Sequence, residues 1–189
     1  EAQALLRSRP IYGSEKLMKK FSKMADSYRY PEVVEESSIR EIRRIKARVE
    51  NERLPLGADP ARHLKLGRGS LSDVEWLVQL YQLRFGAEHT EIQTPFTLSA
   101  LKNMDKVGLI SDEDSETLRS AWLMASAIRS GIVLATGKRN DSLPIDHRVL
   151  ESVRKLIHLP GVNSGGELEE LYLSTSRRAR SVFERLFFE

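Results

Sequence analysis

The sequence has 189 residues, a length that suits one domain able to bury about 70% of its unfolded surface. Its 30 basic and 27 acidic residues leave a net charge of only +3, which implies no dominant field for nucleic acid. The absence of cysteine excludes disulfides and thiolate metal sites. Because no apolar run is long enough for a membrane span and no signal peptide precedes Glu1, we expect a cytoplasmic protein without a membrane partner. A start without methionine suggests a piece of a longer polypeptide.

Nearly every long segment has apolar residues at steps of three and four, the spacing of an amphipathic helix. Turn-forming proline and glycine residues separate these segments. The predicted helices cover residues 15–25, 38–52, 71–85, 97–107, 111–137, 146–158 and 166–188. Alternating β patterns are absent beyond short fragments. We therefore predict an all-α fold, an antiparallel helical bundle of about six to seven helices.

Several residues are predicted to mark helix ends. Ser38 and Glu41 have the spacing of a capping box at the start of the second helix. Thr97 is expected to cap the fourth helix and Ser111 the longest one. Gly137 is expected to end that longest helix, since glycine tolerates the left-handed backbone that often follows a helix.

The second predicted helix has an apolar face and a strongly basic one. Its inner face is expected to contain Ile39, Ile42, Ile45 and Val49. Basic residues on this helix and on the last one alternate with glutamates, which favours solvated, salt-bridged faces suited to a protein partner. These basic residues are Arg40, Arg43, Arg44, Lys46, Arg48, Arg53, Arg177, Arg178, Arg180 and Arg185.

The segment before the third predicted helix has the composition of a phosphate-binding turn. Gly67 and Gly69 allow close approach of the backbone to a ligand, and the amides at a helix start favour anions. Lys65 and Arg68 add side chains that make charge-assisted contacts to phosphate. The alternative is a tight turn that delivers the chain to a buried helix. In that case a following serine caps the helix, and the candidates are Ser70 and Ser72.

Polar residues on this third helix need an explanation, because most of its surface is apolar. Glu75, Gln79 and Gln82 form a stripe at i, i+4 and i+7. Buried polar groups are costly unless satisfied, so the stripe belongs to an internal network or faces a wet cleft. The alternative for Glu75 is a buried salt bridge, to Arg129 or to an arginine of the second helix. Asp73, in the first turn, complements the helix dipole or supports the cleft.

Common catalytic signatures are missing from the sequence. It contains no Walker-type phosphate loop, dinucleotide fingerprint, zinc-binding His-Glu-x-x-His or nucleophile elbow. Its histidines lack ligand spacing, so each is expected to be structural or solvent-exposed: His63, His89, His147 and His158. No catalytic residue and no metal site is therefore predicted in this chain.

Separated motifs together give a family resemblance. Residues 42–55 followed by residues 63–76 resemble bacterial glutamine synthetase adenylyltransferase, a family of bifunctional adenylylating and deadenylylating enzymes. Residues 141–144 and the ending at 175–187 are similar to that family as well. The resemblance covers residues 29–189 and is closest to actinobacterial members.

The resemblance implies a place in a larger enzyme. Residues 29–189 are expected to be the helical domain that follows the C-terminal nucleotidyltransferase domain, and residues 1–28 a helical segment that is partly linker from that preceding domain. The implied enzyme transfers AMP from ATP to a tyrosine of glutamine synthetase, and its other half removes AMP by phosphorolysis. A PII-type signal protein and glutamine set the direction. ATP and Mg²⁺ are the implied cofactors of the whole enzyme, none is expected to bind tightly here, and the chain alone is expected to be inactive.

The resemblance also implies roles for the polar residues around the third helix. Lys65 and Arg68 are expected to approach nucleotide phosphates as one wall of the nucleotidyltransferase cleft. The residues expected to support the seam with that domain are Gly67, Gly69, Asp73, Glu75 and Gln79. The alternative function is a regulatory module that docks glutamine synthetase or a PII-type protein through its basic faces.

Overall fold

The computed structural model describes residues 2–189 and shows an all-α chain, as predicted. No β-strand forms among these residues, and no helix within them has the length and apolar character needed to cross a lipid bilayer. The α-helices, in chain order, are α1 (Ala2–Leu5), α2 (Glu15–Arg29), α3 (Glu36–Glu52), α4 (Leu71–Phe85), α5 (Thr97–Lys106), α6 (Asp112–Thr136), α7 (His147–Ile157) and α8 (Gly165–Phe188). A short 3-10 helix (Thr90–Ile92) lies between α4 and α5. All seven predicted helices form, and α1 is additional.

Helix α2 ends at Arg29, later than the predicted end at residue 25. The Arg29 side chain explains the difference, because it donates hydrogen bonds to Asp26 Oδ1 at 2.7 Å and to the Ser8 carbonyl at 2.9 Å. The first bond lies within α2, and the second ties the end of the helix to the segment after α1. The second partner is distant in sequence, so local spacing gave no signal for it.

Two predicted helix caps are wrong. Helix α3 begins at Glu36, so Ser38 lies inside its first turn and donates its backbone N–H to the Glu35 carbonyl at 2.9 Å. No capping box therefore starts at Ser38. In α5 the capping position belongs to Phe96, and Thr97 is the first helical residue.

The predicted ends of the longest helix are confirmed. The Ser111 hydroxyl accepts the backbone N–H of Asp114 at 3.1 Å, which satisfies one of the free donors at the start of α6. Gly137 follows the helix with φ +69°, the left-handed conformation that favours glycine. Asp146 and Ser164, which were not predicted as caps, cap α7 and α8 in the same way.

The chain forms two compact units that interleave in sequence. The first contains the described residues up to Ile45 together with Glu75–Ser115, and the second contains Lys46–Val74 together with Glu116–Glu189. Helices α3, α4 and α6 each contribute to both units. The predicted separation of an N-terminal segment from one helical domain stays a prediction.

Each unit has a buried apolar cluster. In the first unit, Leu6, Tyr30 and Leu83 are buried together, with Ala2 and Ile42 packed against them. In the second unit α7 packs directly on α8, and residues of four helices and their loops form the core. The buried members are Leu64, Leu71, Ala125, Ile128, Ile132, Leu143, Leu150, Val153, Val162, Leu168 and Tyr172.

Helix α4 is largely surrounded by protein, as its apolar sequence predicted. Its bounds, Leu71–Phe85, are those expected from the sequence. Seven of its apolar side chains are buried: Leu71, Val74, Leu77, Val78, Leu80, Tyr81 and Leu83. The polar residues of α4 therefore lie close to other protein groups, and the role of each depends on its hydrogen-bond or ion-pair partners.

Candidate functional site

The turn before α4 is closed by its own backbone. The Gly67 N–H donates to the His63 carbonyl at 2.9 Å, and the Arg68 N–H donates to the Pro60 carbonyl at 3.0 Å. These bonds use amide groups that an anion would need as donors. The backbone of the turn therefore has the character of a structural turn, the alternative raised from the sequence, more than that of a phosphate cradle.

His63 holds this turn from inside. It is only 3% exposed, and its Nδ1 atom accepts the backbone N–H groups of Lys65 at 3.3 Å and Leu66 at 3.0 Å. An accepting Nδ1 requires a neutral ring with its proton on Nε2. Burial lowers the pKa of His63, and the nearby Asp141 carboxylate only partly opposes this effect. His63 thus has a structural role and fixes the backbone that carries Lys65.

The two glycines of the turn are explained by close packing. A Cβ on Gly69 would lie 1.8 Å from the Ser176 carbonyl oxygen of α8, and Gly69 also has φ +69°. A Cβ on Gly67 would lie 2.2 Å from the His63 carbonyl oxygen. Both distances are far below van der Waals contact. Only glycine lets the turn close on itself and lie directly on α8.

Asp73 ties the turn to two other helices. Its Oδ1 atom accepts from Lys46 Nζ at 2.6 Å, and its Oδ2 atom accepts from the Gly69 N–H at 2.7 Å and from Arg180 Nη1 at 3.0 Å. The side chains of Asp73 and Lys46 are each 1% exposed. Protein donors thus occupy both oxygens of this carboxylate.

Glu50 completes the buried ionic network. Its Oε1 atom accepts from Lys46 Nζ at 2.7 Å and from Arg180 Nη1 at 2.8 Å. Burial raises the pKa of Glu50, but the hydrogen bonds from Arg180 and Lys46 outweigh it and hold the pKa below its usual value. The Phe183 ring lies about 5 Å from both cationic groups. Two cations and two carboxylates, those of Glu50 and Asp73, thus compensate one another around the turn.

The prediction of solvated basic faces is wrong for Lys46 and Arg180. Lys46 follows Ile39 and Ile42 by seven and four residues, so it continues the buried line of α3. Ile45, predicted to point inward, is instead 39% exposed. Burial of Lys46 is tolerated because two carboxylates satisfy its charge.

Lys65 and Arg68 differ from these buried cations, because both are exposed. Within residues 2–189, neither side chain has an ion pair or a hydrogen bond. They lie three residues apart on a backbone that His63, Asp73 and the glycines hold in place. Two uncompensated positive charges on a fixed turn are suited to binding an anion through charge-assisted hydrogen bonds.

Glu75 and Gln79 belong to the first compact unit, whereas the turn and Asp73 belong to the second. Glu75 Oε1 pairs with Arg7 Nη2 at 3.1 Å, and Gln79 Oε1 accepts from Gln3 Nε2 at 2.6 Å. The predicted partner Arg129 is therefore wrong. Glu75 retains 29% exposure, so its salt bridge is partly solvated. A shallow depression here is lined by Gln3, Ala4, Arg7, Glu75, Trp76 and Gln79.

Gln82 separates from the rest of the polar stripe. It is 2% exposed, and its Nε2 atom donates to the carbonyls of Ile92 and Thr94, both at 2.7 Å. The stripe therefore divides into two parts. Gln82 belongs to an internal network, and Glu75 and Gln79 line the partly exposed depression. Whether that depression is part of a cleft stays a prediction.

A metal centre is not assembled by this part of the chain. Residues 2–189 contain no group of three or more His, Cys, Asp or Glu side chains placed to hold an ion.

The residues that the sequence did not predict as part of the site are structural partners: Lys46, Glu50 and Arg180 around Asp73, and Gln3 and Arg7 beside α4. Of these, only the position of Lys46 on the buried line of α3 carried a local signal.

Comparisons with known proteins match this chain to one family model and to several curated relatives. Residues 38–187 match the family model described as GlnD PII-uridylyltransferase. The chain is also similar to curated proteins named bifunctional glutamine synthetase adenylyltransferase/adenylyl-removing enzyme. The relative from Leifsonia xyli subsp. xyli is 53% identical over 188 residues, 100% of this chain and 19% of the relative. Those from Nocardia farcinica and Streptomyces coelicolor are each 46% identical, over 99% and 100% of this chain and again 19% of their own length.

The chain thus spans about a fifth of the length of the curated relatives that it matches. The family model covers most of the chain, including the turn, α4 and the buried ionic network. Similarity of this extent, to relatives from actinobacteria and over the whole chain, agrees with the resemblance carried by the separate motifs. The chain therefore belongs to the GlnD PII-uridylyltransferase family.

Proposed function

We propose that this chain is the helical companion of a nucleotidyltransferase domain in an enzyme that transfers AMP from ATP to a tyrosine of glutamine synthetase. The names of the relatives include both an adenylyltransferase and an adenylyl-removing activity, which supports this proposal. The other half of such an enzyme removes AMP by phosphorolysis. A PII-type signal protein and glutamine govern the direction, and the cytoplasm is the proposed location.

In this proposal the chain contributes contacts to the nucleotide phosphates, and the preceding domain contributes the metal ligands. Bound ATP supplies the adenylyl group, and Mg²⁺ neutralises part of its triphosphate charge. The side chains of this chain fit the phosphate part of that assembly, because Lys65 and Arg68 are exposed cations. Residues 2–189 hold no group of three or more His, Cys, Asp or Glu side chains placed to bind an ion, so the proposal assigns the Mg²⁺ ligands to the preceding domain. The chain alone is then folded but inactive.

The observation that carries the proposal is that Lys65 and Arg68 are exposed and have no ion-pair or hydrogen-bond partner for their side chains within residues 2–189. Other cations near the turn, Lys46 and Arg180, are compensated by Asp73 and Glu50. Lys65 and Arg68 have no such partner within the described chain. A fixed backbone lowers the entropy cost of placing them beside a phosphate. Their role is to bind and orient the nucleotide, with no proton transfer.

The test uses the full-length Leifsonia xyli relative carrying this sequence at the matched position. Lys65→Ala and Arg68→Ala are each expected to raise the KM for ATP by about tenfold or more, the worth of a charge-assisted hydrogen bond. The matched controls are Lys138→Ala and Arg139→Ala, exposed cations elsewhere in the second unit. An unchanged KM for ATP in both variants of the turn contradicts the proposal.

A second measurement concerns the chain by itself. The purified 189-residue chain is expected to show helical circular dichroism and a cooperative unfolding transition without transferring AMP to glutamine synthetase. Measurable transfer by the chain alone would show that the catalytic groups lie within it. That result would overturn the assignment of the metal ligands to a preceding domain.

The alternative function is a regulatory module that docks glutamine synthetase or a PII-type protein. It is favoured by exposed arginines on α3 and α8 that have no partner among residues 2–189, namely Arg40, Arg48, Arg177 and Arg178. Binding of the isolated chain to either purified protein, lost on charge reversal of these arginines, supports this alternative. Binding of ATP without binding of either protein supports the companion role.

A further inference from the structure

Helix α2 packs on the first compact unit along one side. Ala25 is 1% exposed, and Arg29 bonds to the segment after α1. Another side of the helix carries large apolar residues that remain open to solvent. These residues, here called the α2 seam, are Leu17, Phe21, Met24 and Tyr28, between 40% and 66% exposed. The α2 seam lies in a different unit from Lys65 and Arg68.

The spacing of the α2 seam is that of a helix–helix contact. Its members follow one another by four, three and four residues, as a and d positions do in a heptad. At about 100° per residue they fall within an arc of about 60°. That is narrower than the apolar face of about 100° or more that typifies core-facing helices. The four side chains thus form a ridge that fits one neighbouring helix.

The charges beside the α2 seam define the chemistry of that helix. Lys16, Lys20 and Lys23 all lie on one side of the seam, within about 100° of its edge. None of the three has an ion pair within residues 2–189. On the other side, Ala25 and Arg29 face the unit itself. A helix lying along the seam therefore meets lysines on its open side, where carboxylates complement them.

We propose that the α2 seam is a docking surface for an acidic amphipathic helix from the remaining polypeptide of the longer proteins that this chain resembles. The relatives have about four-fifths of their length outside the matched segment, since 19% of each is covered. The occupant carries an apolar ridge that packs on Phe21 and Met24, with Asp or Glu beside it. Docking within one polypeptide benefits from a high effective concentration.

Charge and shape disfavour the other occupants. A second copy of this chain, packed seam to seam in antiparallel orientation, brings its lysine border close to the same lysines, and like charges at flanking heptad positions are unfavourable. In parallel orientation the lysine border meets the side of α2 that the unit itself covers. A lipid surface suits a helix with a broad apolar face and basic residues along its polar face. The α2 seam is narrow, and its second side is occupied by the unit itself.

The test is zero-length carbodiimide cross-linking of the full-length Leifsonia xyli relative carrying this sequence, read by peptide mass spectrometry. The expected products join Lys16, Lys20 or Lys23 to an Asp or Glu of the same polypeptide outside the 189 residues. Phe21→Asp is expected to reduce their yield at least tenfold. Leu134→Asp, at a 73% exposed position on α6, is the matched control and leaves the yield unchanged.

Other outcomes overturn the proposal. They are cross-links to a second copy, cross-links confined to residues 2–189, or no cross-link at these lysines in a folded protein. Binding to phosphatidylserine vesicles that Phe21→Asp abolishes assigns the seam to a membrane instead. If Phe21→Asp fails to fold, Leu17→Ser replaces it, because Leu17 is 66% exposed and its removal leaves the packed side of α2 intact.

Discussion

The carboxylate of Asp73 lies 2.6 Å from the ammonium group of Lys46, and both side chains are 1% exposed. The same carboxylate accepts the Gly69 N–H and pairs with Arg180. One side chain thus joins α3, α8 and the turn before α4. Because the proposed phosphate contacts are side chains of that turn, their positions depend on this buried network.

Asp73→Asn tests the energetic importance of this network. The substitution leaves the buried Lys46 with only the Glu50 carboxylate, which it shares with Arg180, whereas Arg180 also keeps Glu184. The buried charge of Lys46 therefore becomes undercompensated. We expect the free energy of unfolding to fall by about 3 kcal/mol, measured by urea denaturation. Glu41→Gln, which removes an exposed pair on α3, is the control and should cost less than about 1 kcal/mol. Equal effects of the two substitutions would show that the network adds little stability.

Gly69→Ala tests the close packing of the turn on α8. The added methyl group would meet the Ser176 carbonyl oxygen at 1.8 Å and would also strain a backbone with φ +69°. We expect a loss of about 3 kcal/mol from overpacking and strain together. Gly57→Ala separates the two effects, since Gly57 has φ +78° with no atom within 4 Å of the added carbon. Gly57→Ala should lower the free energy of unfolding by only about 1 kcal/mol. If Gly69→Ala lowers it by no more than that, packing of Gly69 on α8 is not the reason for the glycine.

Local signals explain the parts of the fold that were predicted correctly. Helix α4 was predicted from Leu71 to Phe85 because its apolar spacing is continuous and Gly86 follows at once. Helix α6 ends next to Gly137, where the backbone must turn left-handed. Each of these helix bounds depends on residues only a few positions apart in the sequence, and apolar periodicity and capping residues act over that range.

The contacts that were missed join residues far apart in the chain. Lys46 and Asp73 are separated by 27 positions, and Glu50 and Arg180 by 130. Sequence spacing alone shows that Glu50 and Arg180 are charged but gives no sign that they meet. Glu75 was recognised as a residue in need of a partner, yet that partner proved to be Arg7, in a segment expected to be partly linker.

His63 gives the turn a dependence on pH. In the folded protein its Nδ1 atom accepts two backbone N–H groups, and burial lowers its pKa below the ordinary histidine value of about 6.5. At a pH between the lowered pKa of the folded protein and the ordinary pKa of the unfolded chain, the unfolded chain binds more protons than the folded one. The stabilisation is therefore complete above about pH 6.5 and is lost as the pH falls through the folded pKa.

The corresponding substitution is His63→Asn, whose Oδ1 atom keeps an acceptor near the position of Nδ1 without titrating. Unfolding by urea between pH 7.5 and pH 5 should show a decline in stability for the natural sequence and a smaller decline for the variant. His89→Asn is the control, because His89 makes no such contact with the turn. An identical decline in the natural protein and His63→Asn would exclude His63 as the source.

The Arg7–Glu75 salt bridge allows a contribution to stability to be distinguished from a contribution to AMP transfer. The two side chains are 46% and 29% exposed, so solvent screens their attraction. Glu75→Gln and Arg7→Met should each cost no more than about 1 kcal/mol, and a double-mutant cycle should give a coupling of about 0.2 to 1 kcal/mol. If Glu75 supports the interface with a nucleotidyltransferase domain, Glu75→Gln lowers AMP transfer in the full-length enzyme while its unfolding transition stays unchanged. Full AMP transfer by Glu75→Gln, with the same dependence on ATP, would limit Glu75 to its salt bridge with Arg7.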